Sequence, residues 1–190
     1  SQGMADFFES VVSDIKTFKA DVLLLSAGGN DLLGGGALEG VLRGGDRPVG
    51  HYLGPDFAIR LEEVLTRIER MVRAAKASAP DLRILLHSYD YARPSGRGPW
   101  LRDPMDRLGI PRGKHPAIVR AIVNAFHTRL NALADALDVE LADDRGEIVV
   151  IDLRKTLGPG DWYDELHPTS DGFARIARKF RAEIIKPLIV

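Results

Sequence analysis

Residues 21–31 of this 190-residue chain read Asp-Val-Leu-Leu-Leu-Ser-Ala-Gly-Gly-Asn-Asp. The apolar run Asp21–Ser26 has the length of a buried strand rather than that of a helix, and a glycine pair follows it directly. Two further runs of similar length, Leu82–His87 and Ile148–Leu153, occur later in the chain. The sequence therefore predicts three short strands.

Helical patterns alternate with these strands. Apolar residues recur at helical spacing within residues 8–18, 61–75, 118–137 and 173–180. Asp56 is the predicted N-cap of the second helix, and Thr169 or Ser170 that of the last. The alternation predicts one α/β domain over residues 1–190, with a mostly parallel sheet covered by helices on both faces. In such folds, sites form where the carboxyl ends of the strands meet.

The composition excludes several classes of function. There are 26 Lys plus Arg residues against 27 Asp plus Glu residues, a formal net charge of −1. This balance argues against nucleic acid or an anionic membrane as the partner. The chain has no cysteine, which excludes disulfides and thiolate metal sites. No apolar run approaches the roughly 20 residues of a membrane span, and no motif indicates a metal or another cofactor.

Two connections are too long to be simple turns. Residues 34–55 are rich in glycine, and residues 89–116 contain five prolines together with Trp100. Both follow a predicted strand, so both are expected at the edge of the sheet that carries the site. Long segments of this kind are usually functional. We interpret them as lids over a substrate, with surface insertions as the alternative.

The first group of residues suited to catalysis follows the first strand. Gly28 and Gly29 allow a sharp turn and a close approach of the backbone to a ligand. The amide of Asn30 is suitable as an oxyanion donor at this position. The same residues also make a good turn without any function.

The second group follows the last strand. Asp164 stands three residues before His167, on one short loop. A carboxylate at this spacing can accept the proton of one imidazole nitrogen and leave the other nitrogen free to act as a base. The alternative is an ordinary loop before a helix that happens to contain a histidine.

Together, the two groups resemble a known family. The Gly-x-Asn-Asp block at residues 28–31 and the Asp-x-x-His-Pro block at residues 164–168 are similar to two blocks of the SGNH (GDSL-like) hydrolases. The resemblance implies a three-layer, flavodoxin-like α/β/α fold. It also implies hydrolysis of carboxylic esters, often acyl or acetyl esters of lipids or carbohydrates.

The resemblance also assigns roles to individual residues. It implies that His167 is the general base, that Asp164 orients it and that Asn30 donates to the oxyanion. The family adds a glycine amide from a loop before the helix that precedes this first block, where Gly3 stands in this sequence. Gly28 and Gly29 are expected to shape the oxyanion loop, and Trp100 is expected on a substrate loop.

One block of the family is missing. Its nucleophilic serine lies in a Gly-Asp-Ser motif after a first strand, but here Gly45-Asp46 is followed by Arg47. We therefore expect an N-terminally incomplete domain that lacks its first strand or strands and self-associates to cover the exposed sheet edge. Loss of the serine block is the favoured explanation. A non-catalytic relative, completion by another chain, or use of Ser26 or Ser88 are the alternatives.

The sequence thus leads to two hypotheses. The first is an ester hydrolase that works by Ser-His-Asp acyl transfer on a small-molecule, glycan or lipid ester, with its serine block absent from this chain. The second is a non-catalytic subunit of the same fold that binds a ligand or a partner protein. The sequence does not identify the acyl group, the alcohol or the cellular compartment.

Overall fold

The computed structural model describes residues 2–34, 36–141 and 147–185. Within them, the three strands are β1 (Val22–Leu25), β2 (Arg83–His87) and β3 (Ile148–Ile151). The helices are α1 (Gln2–Phe18), α2 (Gly29–Leu33), α3 (Ala37–Val41), α4 (Pro55–Ser78), α5 (Arg102–Arg107), α6 (His115–Leu141) and α7 (Ser170–Ile185). Short 3₁₀ turns occupy Val49–His51, Arg112–Lys114 and Pro159–Asp161.

The strands form one parallel sheet in the order β1-β2-β3. Helices pack against both faces of this sheet. Ile84, Leu86 and Ile148 join the main core with the apolar faces of α4 and α6. Leu85 and Ile151 join a smaller cluster with α7 on the opposite face. The predicted α/β fold with a parallel sheet between helical layers is confirmed, and right-handed crossovers explain why α4 and α6 share one face.

The local predictions hold with one correction. Thr169 caps α7, because its hydroxyl oxygen accepts a hydrogen bond from the N–H of Gly172 at 3.2 Å. Asp56 is not the N-cap of α4. The cap is Gly54, and Pro55 takes the first helical position, where its missing N–H costs nothing. Asp56 lies in the first turn instead, where its negative charge suits the positive end of the helix.

The two long connections are packed against the rest of the fold, and their interpretation as lids over a substrate stays a prediction. The first contains α3 and the 3₁₀ turn Val49–His51, and it buries Leu38 and Tyr52 completely. The second contains α5 and buries Leu101 and Met105 completely. Side chains of this size hold both segments in place through the apolar area that they remove from water.

The free edge of β1 is the least covered part of the sheet. Leu24 pairs with Leu85 in the ladder and points to the same face. Leu85 is fully buried in the cluster that includes α7 residues, whereas Leu24, one strand nearer the edge of the sheet, is 51% exposed. Exposing half of a leucine side chain forgoes about 1 kcal/mol of hydrophobic stabilisation.

A groove of about 970 Å³ runs along this edge, and we call it the β1 groove. Its walls come from α1, α4 and α7, and its floor includes Leu23, Leu24 and Leu25 of β1. The apolar residues that line it include Val11, Val12, Leu24, Ile68, Met71, Phe173, Ile176 and Phe180. In the part of the chain that the structure describes, no helix is long and apolar enough to cross a membrane.

We predict that the 190-residue chain self-associates through the β1 edge, because unpaired strand groups beside an apolar groove favour pairing with another chain. Leu24→Lys should increase the monomer fraction in sedimentation velocity at micromolar concentration. Ile59→Lys is the matched control, since Ile59 is 59% exposed on α4 outside the β1 groove. A monodisperse wild-type monomer would contradict this prediction.

Candidate active site

Asp164 and His167 form a hydrogen-bonded pair. The Nδ1 of His167 lies 2.8 Å from Oδ2 of Asp164. An ionised carboxylate can only accept a hydrogen bond, so Nδ1 carries the proton and Nε2 keeps its lone pair. The Asp164 side chain is 10% exposed and that of His167 is 57% exposed. The arrangement therefore orients an imidazole whose second nitrogen is available as a base.

The loop that carries this pair is folded back on itself. Trp162 and Pro168 form an antiparallel bridge across it, and the N–H of Tyr163 donates to the carbonyl of His167 at 2.9 Å. Oδ1 of Asp164 accepts from the N–H of Leu166 at 2.8 Å and from the N–H of His167 at 2.7 Å. The same carboxylate thus fixes the backbone of the turn and the ring of the histidine.

These bonds also set the charge of Asp164. Burial alone would raise the pKa of its carboxyl group. Hydrogen bonds from the backbone and ring of His167 and from the backbone of Leu166 outweigh burial, and the pKa lies below its ordinary value. Asp164 therefore stays ionised and stabilises the imidazolium that forms when His167 takes up a proton.

The turn after β1 requires both of its glycines. Gly28 has a positive φ of 93°, and a Cβ there would lie 2.7 Å from Cγ1 of Val64. A Cβ on Gly29 would lie 2.7 Å from Cζ of Tyr89. Both values are below any real Cβ contact, so side chains at these positions would force the turn away from α4 and from the Tyr89 ring.

Tyr89 holds this turn, and the sequence analysis did not identify it. Its hydroxyl donates to the carbonyl of Ala27 at 3.1 Å and accepts from the N–H of Gly29 at 3.0 Å. Burial raises the pKa of this phenol, so it stays protonated and can serve both partners. The only indication in the sequence was a tyrosine two residues beyond the end of β2, the strand next to β1.

Asn30 lies in the first turn of α2, and it is exposed. It lines the β1 groove together with His167. The next residue, Asp31, forms an ion pair with Arg67 of α4 at 3.0 Å. The predicted oxyanion donor and the predicted base therefore open into the same groove, at the carboxyl end of the sheet.

His87 forms part of the same groove but has a different environment. Burial lowers its pKa, and its ring lies edge-on to Tyr89 and Phe180, with centroids 5.0 and 5.4 Å apart. Its Nδ1 lies 2.9 Å from the carbonyl of Ser88, which identifies Nδ1 as the donor of a neutral ring. His87 is a packed, neutral part of the groove.

The remaining predicted residues have mixed outcomes. The Trp100 ring lies edge-on to the His167 ring, with centroids 5.4 Å apart, but Trp100 is not among the described residues that line the β1 groove. Gly3 lies in the first turn of α1, and not on a loop before a helix as the sequence had suggested. Its backbone N–H is therefore not presented by the kind of loop that the resemblance implies.

Neither alternative serine is hydrogen-bonded to His167. Ser88 is fully buried, donates to Asp152 at 3.3 Å and accepts from the N–H of Leu153 at 3.1 Å. Ser26 is exposed and lines the β1 groove. Among the described residues, no serine is hydrogen-bonded to His167, and no group of three potential ligands could hold a metal ion.

Solved structures with a similar fold were found. One is a carbohydrate esterase family 3 protein from Talaromyces cellulolyticus, with a TM-score of 0.55. Another is a mutant acetyl esterase with acetate ion, with a TM-score of 0.54. Each is 14% identical in sequence, and each match covers 93% of this chain and 62% of the other. The chain thus spans less than two thirds of the length of these structures.

The sequence of the chain was also compared with curated proteins and with family models. No curated protein matches significantly. The model of the GDSL-like lipase/acylhydrolase family matches residues 1–175, which include both the Gly-x-Asn-Asp block and the Asp-x-x-His block. The chain therefore belongs to the GDSL-like lipase/acylhydrolase family.

Proposed function

We propose that this chain carries the base and the oxyanion donor of a carboxylic-ester hydrolase that works by Ser-His-Asp acyl transfer, with the serine supplied from outside these 190 residues. The observation that carries the proposal is the 2.8 Å bond between Asp164 and His167. It leaves Nε2 free at the end of a groove that Asn30 also lines. Membership of the family supports ester hydrolysis in general.

Each residue has a defined task in this reaction. Nε2 of His167 removes the proton of the serine hydroxyl as its oxygen attacks the ester carbonyl. The Asn30 amide donates to the oxyanion of the tetrahedral intermediate. The imidazolium then protonates the departing alcohol, and water, deprotonated by the same nitrogen, releases the acid from the acyl-enzyme. Asp164 keeps the ring in the required tautomer throughout.

The β1 groove is the route by which we propose that the serine enters. The free edge of β1 offers backbone N–H and C=O groups that an acyl chain cannot satisfy but that an extended peptide can. A strand that pairs in parallel with β1 would end at the same edge of the sheet as β1 itself. The residue that follows it would then lie near Asn30 and His167.

The substrate that we propose is an acyl or acetyl ester of a carbohydrate or a lipid. Support comes from the names of the similar structures, a carbohydrate esterase and an acetyl esterase. At 14% sequence identity, the TM-scores of 0.55 and 0.54 support a shared fold alone. We take an acetylated sugar as the first substrate to test, on the names of these two structures. The alternative, a subunit that binds without catalysis, is an outcome of the same experiments.

We predict that an apolar strand followed by Gly-Asp-Ser, fused before residue 1, confers hydrolysis of p-nitrophenyl acetate. The matched control carries Gly-Asp-Ala in the same extension and should be inactive. In the active fusion, His167→Ala should lower kcat by about 10³-fold or more. His51→Ala alters an exposed histidine of another loop and should leave kcat unchanged.

Full activity of the His167→Ala fusion would contradict the assignment of the base. If the Gly-Asp-Ser fusion is folded and binds the ester but does not turn it over, the non-catalytic alternative is favoured.

The unextended chain provides a second test, because no described serine contacts His167. We predict no adduct on any serine when a fluorophosphonate probe is added, as read by intact and peptide mass spectrometry. A single adduct on Ser26 that is lost in His167→Ala would show a working nucleophile within the chain. That result would contradict the proposal that the serine comes from outside.

We also predict that Tyr89→Phe lowers kcat of the active fusion about 10-fold, less than the 10²–10³-fold typical of removing an oxyanion donor itself. The substitution leaves the N–H of Gly29 and the carbonyl of Ala27 without their shared partner and loosens the turn before Asn30. Tyr163→Phe is the control, since Tyr163 is 73% exposed. Equal effects of the two substitutions on kcat would contradict the role of Tyr89.

A further inference from the structure

Glu165 is a fully buried carboxylate between Asp164 and Leu166, within the loop that carries the base. Among the described residues, no cation forms an ion pair with it. A buried carboxylate is costly unless its oxygens accept hydrogen bonds. The hydrogen-bond partners of Glu165 therefore indicate its role in the structure.

All of its side-chain partners are backbone N–H groups of one segment, residues 93–102. Oε1 accepts from Gly96 at 2.9 Å and from Arg102 at 3.0 Å. Oε2 accepts from Trp100 at 3.0 Å and from Leu101 at 2.8 Å. The backbone carbonyl of Glu165 also accepts from the N–H of Arg93 at 3.0 Å. One residue of the catalytic loop thus holds a segment that is more than sixty positions away in sequence.

This segment presents Trp100 to the base. The two rings lie at an interplanar angle of 82°, with the edge of one against the face of the other. The indole is also confined on the side of Gly98, where a Cβ would lie 2.1 Å from its Cζ3 atom. Trp100 is therefore held through its backbone by Glu165 and through its ring by contact with Gly98.

We propose that Glu165 is a positioning residue that acts on His167 through Trp100. Asp164 fixes one edge of the imidazole through Nδ1, but a single hydrogen bond leaves the ring free to rock about it. The indole restricts that motion and keeps Nε2 directed to one place. A base that is 57% exposed needs such support, because catalysis depends on its being held at the reacting proton.

A positioning role for Glu165 in catalysis rests on the proposed ester hydrolysis. The contact between Glu165, Trp100 and His167 can nevertheless be tested in a chain that has no nucleophile. Long-range ¹H–¹⁵N NMR spectra of the unextended chain report the tautomer and environment of each of its five histidines, and His167→Gln assigns the relevant signals. Trp100→Ala should shift the His167 signals because the ring current of the indole is lost. Glu165→Gln leaves two of the four N–H groups without an acceptor and should shift the same signals in the same direction.

The matched control is Asp90→Asn. Asp90 is 7% exposed and accepts backbone N–H bonds from Tyr91, Lys155 and Leu157, none of them in the segment that carries Trp100. Its substitution should lower stability without moving the His167 signals. The double variant Glu165→Gln/Trp100→Ala should show no shift beyond that of Trp100→Ala, as expected for residues that act in series.

Two results would overturn the proposal: unchanged His167 signals in folded Glu165→Gln, or an equal shift in Asp90→Asn. If Glu165→Gln does not fold, Glu165→Asp tests the same point, since its shorter carboxylate keeps the charge but cannot reach all four N–H groups. In the active serine fusion, Glu165→Gln should lower kcat about 10- to 100-fold with KM little changed. An inactive fusion would count against the proposed function and leave the NMR result standing.

Discussion

Parallel pairing of β1, β2 and β3 is the constraint on which the rest of the structure depends. A parallel neighbour can be reached only by a crossover that returns the chain to the other end of the sheet, and α4 and α6 provide these crossovers. The loops that follow all three strands therefore open at the same edge. The glycine turn, the segment with Trp100 and the loop with His167 meet there although they are far apart in sequence.

Buried carboxylates hold this edge together where regular secondary structure ends. Asp90, Asp164 and Glu165 together accept backbone N–H bonds from nine positions on three loops. Loops at the carboxyl end of a sheet have N–H groups that no ladder or helix satisfies, and an ionised side chain accepts several of them strongly. These hydrogen bonds hold the loops around His167 in place, while the His167 side chain itself is 57% exposed.

The β1 edge, unlike these loops, has exposed apolar side chains and a strand that, in the described part of the chain, pairs on one side only. On the face of the sheet that α7 packs against, the Leu24 side chain of β1 is exposed to solvent. The β1 groove lies beside this side chain. Unsatisfied strand groups, apolar walls and proximity to the Asp164–His167 pair occur together at this edge. One extended peptide would satisfy the strand groups, bury the apolar walls and bring a side chain near His167. The proposed reaction would then depend on the same contacts that stabilise this edge of the fold.

The sequence by itself determined the three strands, the parallel arrangement and the Asp164–His167 pair, because apolar periodicity and a three-residue spacing are local properties. It did not reveal Tyr89 or Glu165, and it placed Gly3 on a loop and the cap of α4 at Asp56. Tyr89 acts on a turn 60 positions away, and Glu165 acts on a segment 63 to 69 positions away. Only the tertiary structure decides such contacts, since the distance between two loops depends on how the whole sheet is assembled.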